Sequence, residues 1–122
     1  MNKSLVFFSA LVPILLAQPS DVKAVTGGLT ATVSKVMVNA TAYGGCMALL
    51  SKTISSASPA VNCPGNWISF SCTGTYASKD LAFFMLDQAQ LALSLNKNVT
   101  VYVDDTKKHN GYCFANRIEV IK

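Results

Sequence analysis

The sequence predicts a mainly β domain with one helix, its elements ordered β-β-β-α-β-β and closed as an OB-like five-stranded Greek-key barrel. Two observations lead there. Early in the chain an alternating apolar stretch changes phase in mid-course, which is how a bulged strand reads in sequence. One strongly helical segment then stands between the third and fourth strand-like segments, where the helix of such a barrel lies. An α+β sheet packed by one helix is the alternative that fits the same order.

Leu29, Ala31 and Val33 alternate with threonines and Ser34, after which Val36 and Val38 carry the apolar phase. This is one long, bent strand over 29–38. Asn39 to Gly45 reads as a turn, with Gly44-Gly45 supplying backbone freedom. Cys46 to Lys52 is a second strand, and its continuous apolar run implies burial on both faces. After the serine-rich loop Ser51–Pro59, Pro64-Gly65-Asn66 turns the chain into a third strand, Trp67 to Cys72, with Ile68, Phe70 and Cys72 on one face. Ser78 reads as a helix N-cap, with Asp80 in the first turn complementing the dipole. The helix runs to Leu95 and places Leu81, Met85, Gln88 and Ala92 on one side, with Leu86, Ala89 and Leu93 beside them. Val99, Val101 and Val103 alternate as a fourth strand, Asp104 to Gly111 is a polar loop, and Tyr112 to Ile121 is the fifth strand.

The helix is more apolar than one packing surface requires. Asp80, Asp87 and Ser94 recur at seven-residue intervals with Gln90 nearby, a narrow polar stripe, while Leu81 to Leu86 is an unbroken apolar run. Two readings stand: a helix sunk deeply in one core, or a second buried face, with Phe83 or Leu91 against a neighbouring subunit or a central pore.

The chain has 122 residues, one small domain, and its 51% hydrophobic and 13% charged composition excludes a disordered chain. Its mean hydropathy of +0.37 is raised by the N-terminus. There Asn2 and Lys3 precede an apolar run from Leu5 to Leu16, too short for a membrane span and halted by Gln18, Ser20, Asp21 and Lys23. Val22-Lys23-Ala24 puts small side chains where a signal peptidase reads, so residues 1–24 are read as a signal peptide and 25–122 as the domain. Cleavage after Ala17 is the alternative. The expected location is secreted or periplasmic, with no membrane span.

All four cysteines, Cys46, Cys63, Cys72 and Cys113, follow the signal segment. An even number in an exported small domain reads as two disulfides, favoured as Cys46–Cys63 and Cys72–Cys113. No pair has the two-residue spacing of a zinc knuckle, so no metal is expected. Net charge is +4, but the basic residues are scattered with a single arginine, so no nucleic-acid partner is expected.

Enzyme chemistry lacks its residues. His109 is the one histidine, no G-x-S-x-G occurs, and Asp104-Asp105 are neighbours that point to opposite faces of a strand. Phosphate-binding glycine loops are absent, and no cofactor is expected. Binding is the better reading. In OB barrels ligands take the face of strands two and three with the loops after strand one and between strands four and five. Those loops carry Tyr43 and Lys107, Lys108, His109 and Asn110, while Trp67 and Tyr112 open nearby strands. Aromatic faces stack on sugars or bases, and Asn, Lys and His give directional hydrogen bonds. Against this, Trp67 also fits a core anchor and Lys107-Lys108 a solvated turn.

Cys46…Cys63, Trp67, the helix end Leu86-Asp87-Gln88-Ala89-Gln90 and Val99-Thr100-Val101-Tyr102 together resemble the B subunits of subtilase cytotoxin and the pertussis-like toxins, over residues 46–103. The resemblance implies a small exported OB-fold protein that forms a pentameric ring, binds a host glycan and serves a separate enzymatic subunit. The chain departs from the pattern after Asp104, and Cys72 has no counterpart, so no glycan-contacting residue is carried over. The alternative function is a periplasmic inhibitor or immunity-type protein that binds another protein.

Overall fold

The computed structural model describes residues 12–18 and 23–122. Most of the expected signal segment, including Leu5 to Leu11, lies outside the described residues; 12–18 and 23–24 form no regular secondary structure. The elements are β1 (Thr26–Val38), β2 (Cys46–Leu50), β3 (Trp67–Ser69), α1 (Lys79–Leu95), β4 (Asn98–His109) and β5 (Tyr112–Ile121). No described helix is long and apolar enough to cross a membrane.

Among the described residues the protein is mainly β, with five strands in one mixed sheet and one α-helix. The strands hydrogen-bond in the spatial order β1-β2-β3-β5-β4, and β4 pairs back to β1, so the ring of pairings closes. Spatial order departs from chain order, because β5 lies between β3 and β4. The β3–β5 pairing is parallel, and the other four are antiparallel. β1 serves both ends of the ring, pairing with β4 through Thr26–Thr32 and with β2 through Val33–Val38. Its register shifts between Val33 and Lys35, where the apolar phase changes in sequence. A bulge there turns the strand from one partner to the other.

Four boundaries differ from expectation. β1 begins at Thr26 because pairing with β4 recruits Gly27 and Gly28, which have little strand preference of their own. β2 stops at Leu50 rather than Lys52. There the Leu50 amide and carbonyl bond Asn66 of the Pro64-Gly65-Asn66 turn instead. β3 stops at Ser69 rather than Cys72, since buried Ser71 adopts a left-handed backbone (φ 63°) that breaks the extended run. The expected 104–111 loop is mostly strand: β4 runs to His109, and Asn110-Gly111 forms a two-residue turn with φ of 52° and 87°. That geometry is a type I′ hairpin turn, for which Asn-Gly is the usual pair. The polar stretch hides a bulge. Asp104 Oδ1 accepts from the Thr106 amide and hydroxyl, and the register slips between Asp104 and Lys108.

α1 starts at the Ser78 cap, whose Oγ accepts from the Leu81 amide at 3.2 Å. It ends at Asn96, left-handed at φ 51°, where the Asn96 and Lys97 amides bond Leu93 and Ala92 carbonyls as a Schellman pair. The buried stripe is Ala82, Met85, Leu86, Ala89 and Ala92. Three alanines bring the helix close to the sheet. Leu81, Gln88 and Leu93, which the sequence groups with these residues, are exposed, as are Phe83, Phe84, Leu91 and Leu95. Inside the ring, Leu29, Ala31, Val33, Ala48, Leu50, Ile68, Phe70, Val99, Val101, Val103 and Phe114 join the helix stripe in one core.

Two disulfides staple the domain, with a pairing other than the favoured one. Cys46 bonds Cys72, and Cys63 bonds Cys113. Spacing alone does not encode pairing. The left-handed turn at Ser71 delivers Cys72 to the start of β2, and the hairpin delivers Cys113 to the 61–63 segment. On the loop-closure model, separations of 26 and 50 residues contribute about 3.5 and about 4 kcal/mol.

Candidate ligand-binding cleft

A cleft of about 190 Å³ opens on the outer face of the sheet, lined by Met37, Tyr43, Met47, Trp67 and Tyr112. The end of β1, the following turn and the first residues of β2, β3 and β5 meet there. Met37 and Met47 are register partners, Met47 also faces Ser69, and Trp67 faces Leu49. Met47 is only 1% exposed yet stands outside the core cluster, so it is the buried floor of the cleft. Tyr43, Trp67 and Tyr112 are half-buried around it.

Tyr43 is held from three sides. Its backbone is left-handed (φ 57°), its amide donates to Asn110 Oδ1 at 2.7 Å, and its carbonyl accepts from Ser69 Oγ at 2.8 Å. The ring meets Tyr112 edge-on, centroids 5.9 Å apart. This geometry costs the residue backbone strain of about 1–2 kcal/mol, offset by the two hydrogen bonds. Next to it, Gly44 passes so close to His109 and Ser69 that a Cβ would lie 2.5 Å from His109 Cδ2 and from Ser69 Oγ.

The seven expected ligand-contacting residues therefore divide. Tyr43, Trp67 and Tyr112 line the cleft, and Asn110 supports Tyr43 from behind. Trp67 lies at the cleft rather than in the core. Lys107 is exposed and 3.9 Å from Asp104. Lys108 Nζ donates to the Asn62 carbonyl at 2.8 Å, and its own carbonyl accepts from Tyr76 Oη. Neither lysine lines the cleft.

His109 is a clasp. Its Nε2 is 2.9 Å from Ser71 Oγ, its ring lies tilted against Tyr76 with centroids 4.8 Å apart, and Ser71 Oγ also accepts from the Tyr76 amide. Ser71 Oγ keeps a second lone pair and its own proton, so it accepts from Nε2–H or donates to a bare Nε2 according to the imidazole tautomer. Burial pushes the His109 pKa below its ordinary 6.5. Ser71 is fully buried, so this Ser–His contact holds structure and presents no nucleophile to solvent.

Met37 and Met47 were not singled out from the sequence, though a signal existed. Once Val36 and Val38 set the apolar phase of β1, Met37 falls on the opposite face, and a large apolar side chain there marks a covered outer surface. A second depression, about 340 Å³, lies between Val38–Ala40 and the start of α1, with Lys79 and Phe83 on its edge. None of the expected ligand residues is there. Compared with known proteins, the chain matches no family model, and no curated protein or solved structure is significantly similar to it.

Proposed function

We propose that the chain is an exported, non-catalytic binding protein built as an OB-type barrel, whose aromatic cleft takes a ring-shaped ligand, a glycan residue in the sharpest form of the reading. One observation carries it. Met37, Tyr43, Met47, Trp67 and Tyr112 form a half-exposed aromatic cleft over a buried methionine floor. The end of strand one, its loop, strands two and three and the last hairpin are the surfaces that OB barrels use for oligosaccharides and oligonucleotides. With both hairpin lysines turned to other contacts, the cleft suits an uncharged ring better than a phosphate backbone. Its volume lies below the ~300–1,000 Å³ of pockets for drug-sized ligands, which fits one sugar. Two disulfides support an oxidising compartment.

Assembly belongs to the same reading. Leu81, Phe84, Gln88, Leu91 and Leu95 follow a 3-4-3-4 spacing on the exposed side of α1, the pattern of a helix-pairing seam with one polar position at its centre. Burying each large side chain contributes roughly 1.5–3 kcal/mol. A second copy fits this seam, and a pentameric ring is the toxin-like version. The second reading, an inhibitor or immunity-type protein, draws on the same exposed face, with Phe84 at 66% exposure. A glycan array, pull-down from periplasmic extract and light scattering separate the readings. A glycan hit lost in Trp67→Ala supports the first. One captured protein partner with an empty array replaces it by the second, and a monomeric mass across micromolar concentrations removes the ring.

A further inference from the structure

We infer that Asp105 is the receptor for the α-amino group released when the leader is cut between Ala24 and Val25. The inference rests on the leader reading and is independent of any ligand in the cleft. The Val25 amide donates to Asp105 Oδ1 at 3.2 Å, and the Asp105 amide donates back to the Val25 carbonyl at 3.2 Å. The other carboxylate oxygen accepts from the Asn62 amide, also at 3.2 Å. One side chain thus ties the start of β1 and the segment before Cys63 to β4. Val25 is partly buried and packs on the core, while Lys23 and Ala24 before it are exposed. The pinned part of the chain begins at Val25, one bond beyond the small-residue pattern Val22-Lys23-Ala24.

Hydrolysis there adds one water across the Ala24–Val25 peptide bond. Its oxygen goes to the Ala24 carbonyl carbon, which leaves as a carboxylate, and the protons convert the Val25 amide nitrogen to an ammonium. That nitrogen already lies at the Asp105 carboxylate, so processing turns a neutral hydrogen bond into a charge-assisted ion pair. The neighbouring charges are otherwise engaged: Asp104 lies 3.9 Å from Lys107, and Lys108 Nζ is on the Asn62 carbonyl. Cleavage after Ala17 would leave residues 18–24 in place and keep the Val25 nitrogen an amide.

The test starts with N-terminal sequencing and intact mass of the exported protein, expected to begin at Val25. The α-amino group is then titrated through the Val25 ¹³Cα shift. Its midpoint should lie at least about one unit above the ordinary ~7.7–8.0, and return to that range in Asp105→Asn. A chain that begins at Ala24 should also titrate in the ordinary range, and it decides the question if Asp105→Asn fails to fold. A mature chain that begins elsewhere, or a Val25 α-amino group with an ordinary midpoint in the unmodified protein, overturns the inference.

Discussion

Replacing Gly44 by alanine tests how tightly the turn after β1 is wedged against the hairpin. The new Cβ would meet His109 Cδ2 and Ser69 Oγ at 2.5 Å, well inside contact distance, with the backbone at φ +72°. The left-handed backbone costs an alanine about 1–2 kcal/mol, and overpacking adds about 1–3. Gly65→Ala is the control, since it has a similar φ of +61° and nothing within 4 Å of its Cβ. Its cost is the backbone part alone. The difference between the two variants, about 2 kcal/mol, corresponds to about 1 M in the urea midpoint at an m-value of about 2 kcal/mol per M. Because Tyr43 adjoins Gly44 and Ser69 Oγ bonds its carbonyl, Gly44→Ala should also disturb the cleft aromatics, visible as altered near-UV dichroism. Equal midpoints for the two variants would refute the wedge.

Peptide mapping under non-reducing conditions should recover Cys46 with Cys72 and Cys63 with Cys113, and removing the second pair should cost slightly more, about 4 against about 3.5 kcal/mol. A Cys46–Cys63 peptide would contradict the fold around Ser71. Since the folded pKa of His109 is depressed below its unfolded value near 6.5, the unfolded chain binds the proton more readily. The stability that His109 contributes is therefore full above pH 6.5 and declines as pH falls through that value towards the folded pKa. Melting temperatures between pH 7.5 and 5 should show less acid sensitivity in His109→Gln, and an unchanged profile would remove the neutral clasp. Asn110→Ala deletes the acceptor of the Tyr43 amide, about 0.5–1.5 kcal/mol, and also puts an alanine at φ 52°, about 1–2 kcal/mol more, measured by thermal melting; Asn110→Asp keeps the acceptor and a residue that tolerates this backbone, and should change stability little.

Much of the fold is local and therefore legible. The phase change between Val33 and Val36 marks the bulge, Ser78 and Asn96 mark the helix ends, and Trp67 and Tyr112 do begin strands. What stayed hidden depends on contacts distant in sequence. Disulfide pairing follows from the left-handed turn at Ser71, which serine composition does not announce. His109 sits in a polar stretch, and its meeting with Ser71 and Tyr76 covers it in part. The extended hairpin was readable from Asn110-Gly111, but Asp104 to Lys108 masks it, because a bulge with its own side-chain hydrogen bonds needs no apolar alternation. In the cleft, the three aromatics were accessible to reasoning by position. The methionine floor needed the register of β1 on β2.

The chain has a single tryptophan, Trp67, and it lines the cleft, so its fluorescence reads the proposed site without a label. The decisive measurement is a titration of the processed protein with the glycans of a broad panel, following Trp67 emission and its quenching by acrylamide. A glycan-binding cleft predicts that at least one glycan shifts the emission saturably and shields Trp67 from the quencher, and that Tyr43→Ala and Tyr112→Ala weaken the response while the fold persists. Emission and quenching that stay unchanged at high concentrations of every glycan would contradict it.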